Sequence, residues 1–544
     1  MAVFISKRKS VLLLVLGLIT LGYSKAQQEP LEEEVFAITS DEYVMPGELL
    51  WIEARVTHQG KPTPSKVLYI ELLNREGVPV VQEMAPIKNG IAEGYLPIND
   101  LLPSDYYLLR AYTKVSPYFS VSKGMHHQFV AVINPLLPPK ATLPTPGLVP
   151  KNPNENSAQN LPLVGLPVDG VIKSGESVSL RLKEDIVGDV TIAVSYLGDL
   201  PPVPLPDFTD LYAGPTFSPI PQPEIFGHII QGRVLSASVD TTITHYLSAH
   251  GKTSKLMISK PLPDGRLIFE AAEFQQFEFV IVQSEYPDSP LDFMLDSPFW
   301  PEKPRPSFLF PSLQLSENLI GTLQNRLLAN QTSGYYYPES PIEPLTYPPF
   351  LVADYTYLMD DYNRFDDMAT VIREYVPTVL VRRENRRTIF KNVNKPASVV
   401  FQNNPLILID AMPILDSDAF SKFNPKEIKQ MDIVNREFYL DHKDYDGVIN
   451  LTSFENDFGK FDLPKNALFI AYKGLQIPRN TELARGKNTN RRSPDFRSLR
   501  AWCRASGTTT CDFDTGLLSG KFQLRYIHWQ RPLSNMGSIR IDAE

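Results

Sequence analysis

From Asn404 to Gly459 the chain reads NPLILIDAMPILDSDAFSKFNPKEIKQMDIVNREFYLDHKDYDGVINLTSFENDFG, and that order of residues admits few folds. Pro405 to Asp410 is a short apolar run rich in Ile and Leu, bounded by turn formers. Its length favours a buried strand over a helix. Asn424-Pro425-Lys426-Glu427 predicts a helix start, because Asn caps, Pro is tolerated in the first turn and Glu reaches back to the cap. Ile428 and Met431 continue an apolar face for about two turns. Met431 to Val434 and Val448 to Leu451 are predicted strands, with Asp446-Gly447 as the turn before the last one. A strand, a capped helix and a returning strand make a split βαβ unit.

The segments PLILIDAMPI, NPKEIKQMDIV and DGVINLTS, in that order, resemble the plug domain of TonB-dependent outer-membrane receptors. Two departures stand out. Ala411 occupies a place where the family carries Gly, so that turn loses its freest choice of φ. LDHKDYDGV holds one Gly where the family is Gly-rich. The resemblance also takes in MATVIREYVPTVLVRR, and it implies a plug-like domain over residues 351–476. A receptor barrel of about twenty-two strands, each of roughly ten residues, needs several hundred residues. Only Lys460 to Glu544 follow the plug-like stretch here. The expectation is a plug-like module that serves another chain, without a receptor barrel of its own.

Residues 1–26 are expected to be a signal peptide: Lys7, Arg8 and Lys9 precede an apolar run from Val11 to Leu21, and Ser24-Lys25-Ala26 offers small residues for cleavage. That run is shorter than the roughly twenty residues of a spanning helix, so no transmembrane span is expected in the mature chain. A net charge of -9 argues against nucleic-acid binding. The 49 prolines among 544 residues exceed the usual share of about 5 %. Set between short alternating runs, they predict sandwich domains joined by stiff linkers.

The predicted fold is mainly β with one α+β module: several antiparallel β-sandwiches plus the βαβ domain. Residues 33–135 form the first sandwich, with strands at Leu49 to Val56, Val67 to Leu73 and Tyr106 to Tyr112, and turns at Asn74-Arg75-Glu76-Gly77 and Asn89-Gly90. Residues 136–164 are a Pro-rich linker, and 165–223 are a second sandwich unit with a Pro-rich tail. Residues 224–297 form a third strand-rich unit, and 298–350 are a Pro- and Tyr-rich linker with one helix, Ser316 to Ala329, presenting Leu319, Leu323 and Leu327. Tyr335-Tyr336-Tyr337 and Tyr347 there suit either a docking surface or a linker packed along a domain. A further helix is expected at Met368 to Tyr375, capped by Asp366, followed by a hairpin around Arg382 to Arg387. Residues 490–544 form a last sandwich.

MPGE at Met45 to Glu48, SKVLYIELLNREG and DYYLLRAYT resemble the macroglobulin-type domain of alpha-2-macroglobulin relatives, and PDFRS with GKFQLRYIHW resembles another such sandwich. HIIQGRVLSASV and RLIFEAAEFQQFEFVIVQ are similar to the carboxypeptidase-regulatory-like sandwich, which carries no peptidase chemistry. The combination resembles multidomain envelope proteins in which macroglobulin-type domains enclose a plug-like module.

Chemistry-bearing residues are few. Cys503 and Cys511 are the two cysteines. A hairpin turning near Gly507 would set them side by side, as a disulfide suited to an exported protein or as two buried thiols. Neither lies in the Cys-Gly-Glu-Gln thioester motif of trapping macroglobulins. The pair His126-His127 points to opposite faces of a strand, and Asp354, Asp360, Asp361, Asp366 and Asp367 lack calcium-loop spacing. No metal site and no cofactor are expected, and no Gly-x-Ser-x-Gly elbow or phosphate loop occurs. Arg382, Arg383, Arg386 and Arg387 form the sharpest charged cluster, either a contact for an acidic partner or lipopolysaccharide or a solvated hairpin tip. The expected function is non-enzymatic: an envelope protein, periplasmic or outer-membrane associated, that presents the plug-like module to a protein partner, an outer-membrane β-barrel or assembly complex. The alternative is a non-covalent macroglobulin-like protease inhibitor with an exposed linker as bait.

Overall fold

The computed structural model describes residues 30–139, 162–167, 170–173, 176–212, 220–236, 238–272, 274, 276–286, 291–333, 347, 351–477, 495–507, 509–530 and 536–543. The expected signal peptide, most of the 136–164 linker and Tyr335 to Tyr337 lie outside them. Within them the protein is mainly β, and no helix is long and apolar enough to cross a membrane.

The first unit is one continuous nine-stranded sheet that folds over into a sandwich. The strand Val67–Leu73 shows why it folds over, since it is buried at every position. Leu68, Ile70 and Leu72 face the inter-sheet core with Leu50, Ile52 and Leu109. Val67, Tyr69 and Leu73 face a second core completed by Leu200, Leu211, Trp300, Phe310 and Leu319. The Pro-rich stretches on either side of the third unit therefore pack along the first sandwich. Each large apolar side chain buried there contributes about 1.5–3 kcal/mol relative to exposure.

The helix in the second of these stretches is Ile320–Ser333, after a 3₁₀ turn at Glu317–Leu319. It starts and ends later than the Leu spacing predicts. The buried face runs through Leu319, Thr322, Arg326 and Ala329, while Leu327 is only half-buried. A buried arginine at the centre of the face moved the apolar stripe.

Segments 165–223 and 490–544, expected as separate domains, build one sandwich. Ser177–Leu182 lies between Leu163–Val164 and Cys511–Asp514 in a three-stranded sheet. Asp189–Tyr196 lies between Gly520–His528 and Leu499–Ser506 in the five-stranded sheet opposite. Their inward residues, including Leu180, Ile192, Val194, Phe513 and Leu524, form a single core. Neither segment alone has enough strands to cover its own apolar face.

Cys503 and Cys511 are joined by a disulfide, with Cα atoms 5.8 Å apart. Cys503 sits opposite Ile192 in one sheet and Cys511 opposite Leu180 in the other. The chain turns at Gly507, φ +50°, after a single bridge between Ser506 and Thr509. The two strands then part, so the bond staples the two sheets instead of crossing a regular hairpin.

The third unit packs Arg266–Ala272, His228–Val234 and Phe293–Leu295 against a four-stranded sheet ending in Leu468–Ala471. That last strand comes from the segment assigned in sequence to the plug-like domain. It pairs with Phe279–Ser284, Phe279 opposite Ala471, so the α+β module is tied into its neighbour by backbone hydrogen bonds.

The α+β module centres on a five-stranded sheet in the order Tyr355–Leu358, Ile428–Val434, Val448–Ser453, Leu406–Ile409, Met412–Pro413. Leu406–Ile409 and Val448–Ser453 are parallel, Leu406 opposite Val448. The helix predicted from Asn424 is only a 3₁₀ turn, Pro425–Glu427, capped by Asn424. Ile428 then starts a central strand in which Ile428, Met431, Ile433 and Val434 are buried. The spacing of Ile428 and Met431 suits a helix face as well as a strand covered on both sides, and tertiary burial decided it. The connecting helix is Ser417–Lys422, capped by Asp416, too short to show a periodicity of its own. The helix Met368–Tyr375 lies as predicted, but its cap is Asp367, which accepts from the Thr370 amide, not Asp366. Gly447, φ +88°, makes the turn before the last strand; a Cβ there would meet the Val434 carbonyl oxygen at 2.3 Å.

Candidate functional site

The arginine cluster lies on a rigid hairpin of the α+β module. Val379–Glu384 and Arg387–Asn394 pair antiparallel, with Val399–Val400 added on the far side. The connection is the two-residue turn Asn385-Arg386, at φ +48° and +66°. Asn suits such a position, but the second residue of this turn is ordinarily Gly. Holding an arginine there costs on the order of 1 kcal/mol.

The base of the hairpin is fixed from several sides. Phe390 is fully buried against Phe420, ring centroids 5.3 Å apart. The Asn392 side chain donates to the Val434 carbonyl at 3.0 Å. The Thr388 amide donates to Asp418 Oδ1 at 2.7 Å, and the Ser417 hydroxyl donates to the Thr388 carbonyl at 2.6 Å. The Asp418 carboxyl is held below its usual range, first by the Thr388 hydrogen bonds and then by the charges of Lys422 and Arg387.

Arg382, Arg383, Arg386 and Arg387 are all exposed. Among the described residues none of the four closes an ion pair, whereas Glu384 on the same hairpin is taken by Lys391 at 2.7 Å. Four guanidinium groups are thus presented on a preorganised support.

Two other constellations were not foreseen. At a second two-residue turn, Asp410-Ala411, both residues have positive φ, +48° and +63°, so Ala411 does hold the conformation for which Gly is best suited. The Asp410 carboxylate ties this turn to the strand beside it, accepting from the Ser453 amide at 2.8 Å, its hydroxyl at 2.5 Å and the Phe458 amide at 2.9 Å. Burial pushes this carboxyl up, against the pull of those hydrogen bonds.

The second constellation is a set of buried ionic seams. Arg110 donates to Glu71 at 2.6 Å and to the Trp300 and Glu302 carbonyls at 2.8 and 2.7 Å, locking the long connection onto the first sandwich. Arg326 donates to the carbonyls of Tyr43 at 2.8 Å and Tyr196 at 2.6 Å and to Asp41 at 3.1 Å, joining the helix to two sandwiches. His228 stands between Glu224, 2.8 Å from Nδ1, and the Tyr472 hydroxyl, 2.7 Å from Nε2; Tyr69 donates to the same Glu224 at 2.9 Å. This Glu-His-Tyr order resembles a proton relay, but its members are buried, with Tyr472 itself only 9 % exposed, and Tyr69 of the first sandwich closes the group from the other side. Burial holds the Tyr472 hydroxyl well above its usual range. The group closes a seam. A charged residue inside an apolar run, as in LLRAY around Arg110, was the available signal.

His126 and His127 project from one strand to different partners. His126 lies 3.3 Å from Gln128, and His127 stacks on Phe208. Burial holds them neutral, with pKa values pushed down to about 4 and about 3. Among the described residues no group of three or more His, Cys, Asp or Glu side chains is placed to hold a metal ion.

No family model matches the sequence, and no curated protein matches it. Among solved structures the chain is similar to Salmonella alpha-2-macroglobulin reacted with methylamine, at 10% identity over 94% of this chain, TM-score 0.16. It is similar to the native conformation of E. coli alpha-2-macroglobulin at 8% identity over 96% of this chain, TM-score 0.16. A CARDB domain from Pyrococcus furiosus, in complex with di-metal ions, is 13% identical and matches 20% of this chain and 98% of its own, TM-score 0.15. The chain spans 23% of each macroglobulin.

Proposed function

We propose that this chain is a non-enzymatic scaffold of the cell envelope, in which macroglobulin-type sandwiches hold the plug-like α+β module out to a protein partner, an outer-membrane transport or assembly complex. The observation that carries this reading is the contrast within the module. One side is tied into the third sandwich by the strand Leu468–Ala471, by Gln283 donating to the Pro413 carbonyl at 3.1 Å and by Lys443 paired with Glu285. The hairpin on the same module ends in four exposed arginines without ion partners among the described residues. The secretory character of residues 1–26 supports export.

The test is affinity capture of the full chain from cross-linked envelopes. A β-barrel or assembly protein should be recovered. Recovery of none, with the bait well expressed, sinks the reading. Specific cleavage of the 136–164 linker by a protease, with loss of that protease's activity on large substrates, would favour the inhibitor alternative instead.

A further inference from the structure

We propose that the hairpin binds an acidic, extended protein segment by strand addition along the edge of Val379–Glu384. The proposal rests on the scaffold reading and deepens it, naming the surface and the chemistry of its occupant.

The edge is the first observation. Among the described residues Val379–Glu384 has a strand neighbour on one side only. The Thr388 and Phe390 amides of that neighbour turn away from it, toward Asp418 and Asn404. Their cross-strand partners Arg383 and Val381 therefore stand in non-hydrogen-bonded pairs, with N–H and C=O directed outward. An incoming strand meets those groups; a lipid headgroup or free phosphate cannot match their spacing.

The outward face is the second. Leu380, Ile389 and Val393 are half-buried on it and Val400 is 39% exposed. Arg382 and Arg387 lie on the same face, since residues two apart and cross-strand partners share a face, and the Lys391–Glu384 ion pair on that face leaves these two arginines as its unpaired charges among the described residues. A segment alternating carboxylates with apolar residues matches that face, and guanidinium forks engage carboxylates at two points.

Arg386 is the third. Charged residues on an edge strand also protect against unwanted pairing. Arg386, however, lies in the turn, off the edge, at φ +66°, where Gly would relax the backbone. A guanidinium kept at a conformational cost points to a contact made by its side chain.

The experiment uses the full chain and a fluorescein-labelled peptide of about ten residues alternating Glu and Val. It is compared with a Lys–Val peptide, with the Glu–Val peptide N-methylated at alternate residues, and with phosphatidylglycerol vesicles. The Glu–Val peptide should bind, more weakly as salt is raised. Binding should fall about tenfold or more in Arg382→Ala/Arg383→Ala/Arg387→Ala and by roughly threefold in Arg386→Gly. Arg386→Gly should melt at or above the wild-type temperature, which separates lost contact from lost folding. N-methylation should abolish binding.

Equal binding of the N-methylated peptide, uptake of vesicles but not peptide, or unchanged binding by the variants each overturns the proposal. So does self-association of the wild-type chain that the same substitutions remove, since the edge would then serve a second copy. Envelope capture distinguishes the two readings. A barrel protein recovered equally by wild type and hairpin variants leaves the scaffold reading standing and removes this one. Peptide binding at the hairpin with no envelope partner captured does the reverse.

Discussion

Arginine does opposite things in two regions of this molecule. At the seams, Arg110 and Arg326 are buried, and they donate to carboxylates and to backbone carbonyls of other units. On the hairpin, four arginines stand exposed without ion partners among the described residues. The first kind spends its hydrogen bonds on holding sandwiches together. The second keeps them available. The side chain is the same; what differs is whether another segment of the chain covers it.

The largest expected effect breaks a seam. Arg326→Met takes the guanidinium donor from Asp41 Oδ2 and from the carbonyls of Tyr43 and Tyr196, while Asp41 Oδ1 keeps the Glu42 and Tyr43 amides. The cost should be about 3–5 kcal/mol, as for other buried pairs stripped of one member. Denaturant unfolding measures it, and limited proteolysis should show the helix Ile320–Ser333 released. A loss of less than about 1 kcal/mol would mean that the seam is held by its apolar neighbours and that the contrast with the hairpin is empty.

Next comes the covalent staple. The Cys503–Cys511 bond closes a loop of sequence separation 8, for which the chain-entropy model gives about 2–3 kcal/mol. Cys503→Ala/Cys511→Ala should lower stability by that amount, and reductant should do the same to wild type. Mass analysis of alkylated protein with and without reductant reports the bond directly.

His127 tests the seam by pH. Its pKa is pushed down to about 3 by burial first, then by the charges of His126 and Arg110, against about 6.5 when unfolded. The folded state therefore binds fewer protons, and the stability this residue contributes at neutral pH is lost as pH falls from about 6.5 toward about 3. Glu48, pushed up to about 7 chiefly by burial, works in the other direction, so the reading is a difference between variants. His127→Phe keeps the stack on Phe208 and removes a buried ring nitrogen that has no partner. At pH 7 it should be nearly neutral, and at pH 4 it should be the more stable protein by on the order of 3 kcal/mol.

The same contrast explains what was legible in the sequence. Strands such as Leu406–Ile409 and Val448–Ser453 are bounded by turn residues, and the Arg382 to Arg387 hairpin carries its own two-residue turn, so local pattern sufficed for both. The pairing of Ser177–Leu182 with Cys511–Asp514 spans more than three hundred residues, and no local signal encodes such a partner. The pairing of Leu468–Ala471 with Phe279–Ser284 was missed for the same reason. Met431 to Val434 is the strand its sequence predicts, but its first residues were misread as helix, because a bulge between Ile428 and Gln430 breaks the strand alternation and leaves Ile428 and Met431 at helical spacing. The seams were missed because an arginine in an apolar run, such as Arg110 in LLRAY, signals burial without naming the distant segment that covers it.

The smallest effect is the sharpest. If the hairpin arginines are kept for a contact outside the chain, removing one should cost the fold nothing. At φ +66° Arg386 should even be improved upon by Gly, which reaches that region freely. Arg386→Gly should raise stability by about 0.5–1 kcal/mol, visible as a small upward shift in melting temperature. Glycine also loosens the unfolded chain, which opposes the gain, so the comparison with Arg386→Asn is informative. Asn tolerates positive φ without adding as much unfolded-state freedom, and it should stabilise at least as well. A clear loss of stability in both variants would show that the Arg386 side chain holds the hairpin together. The two classes of arginine would then collapse into one.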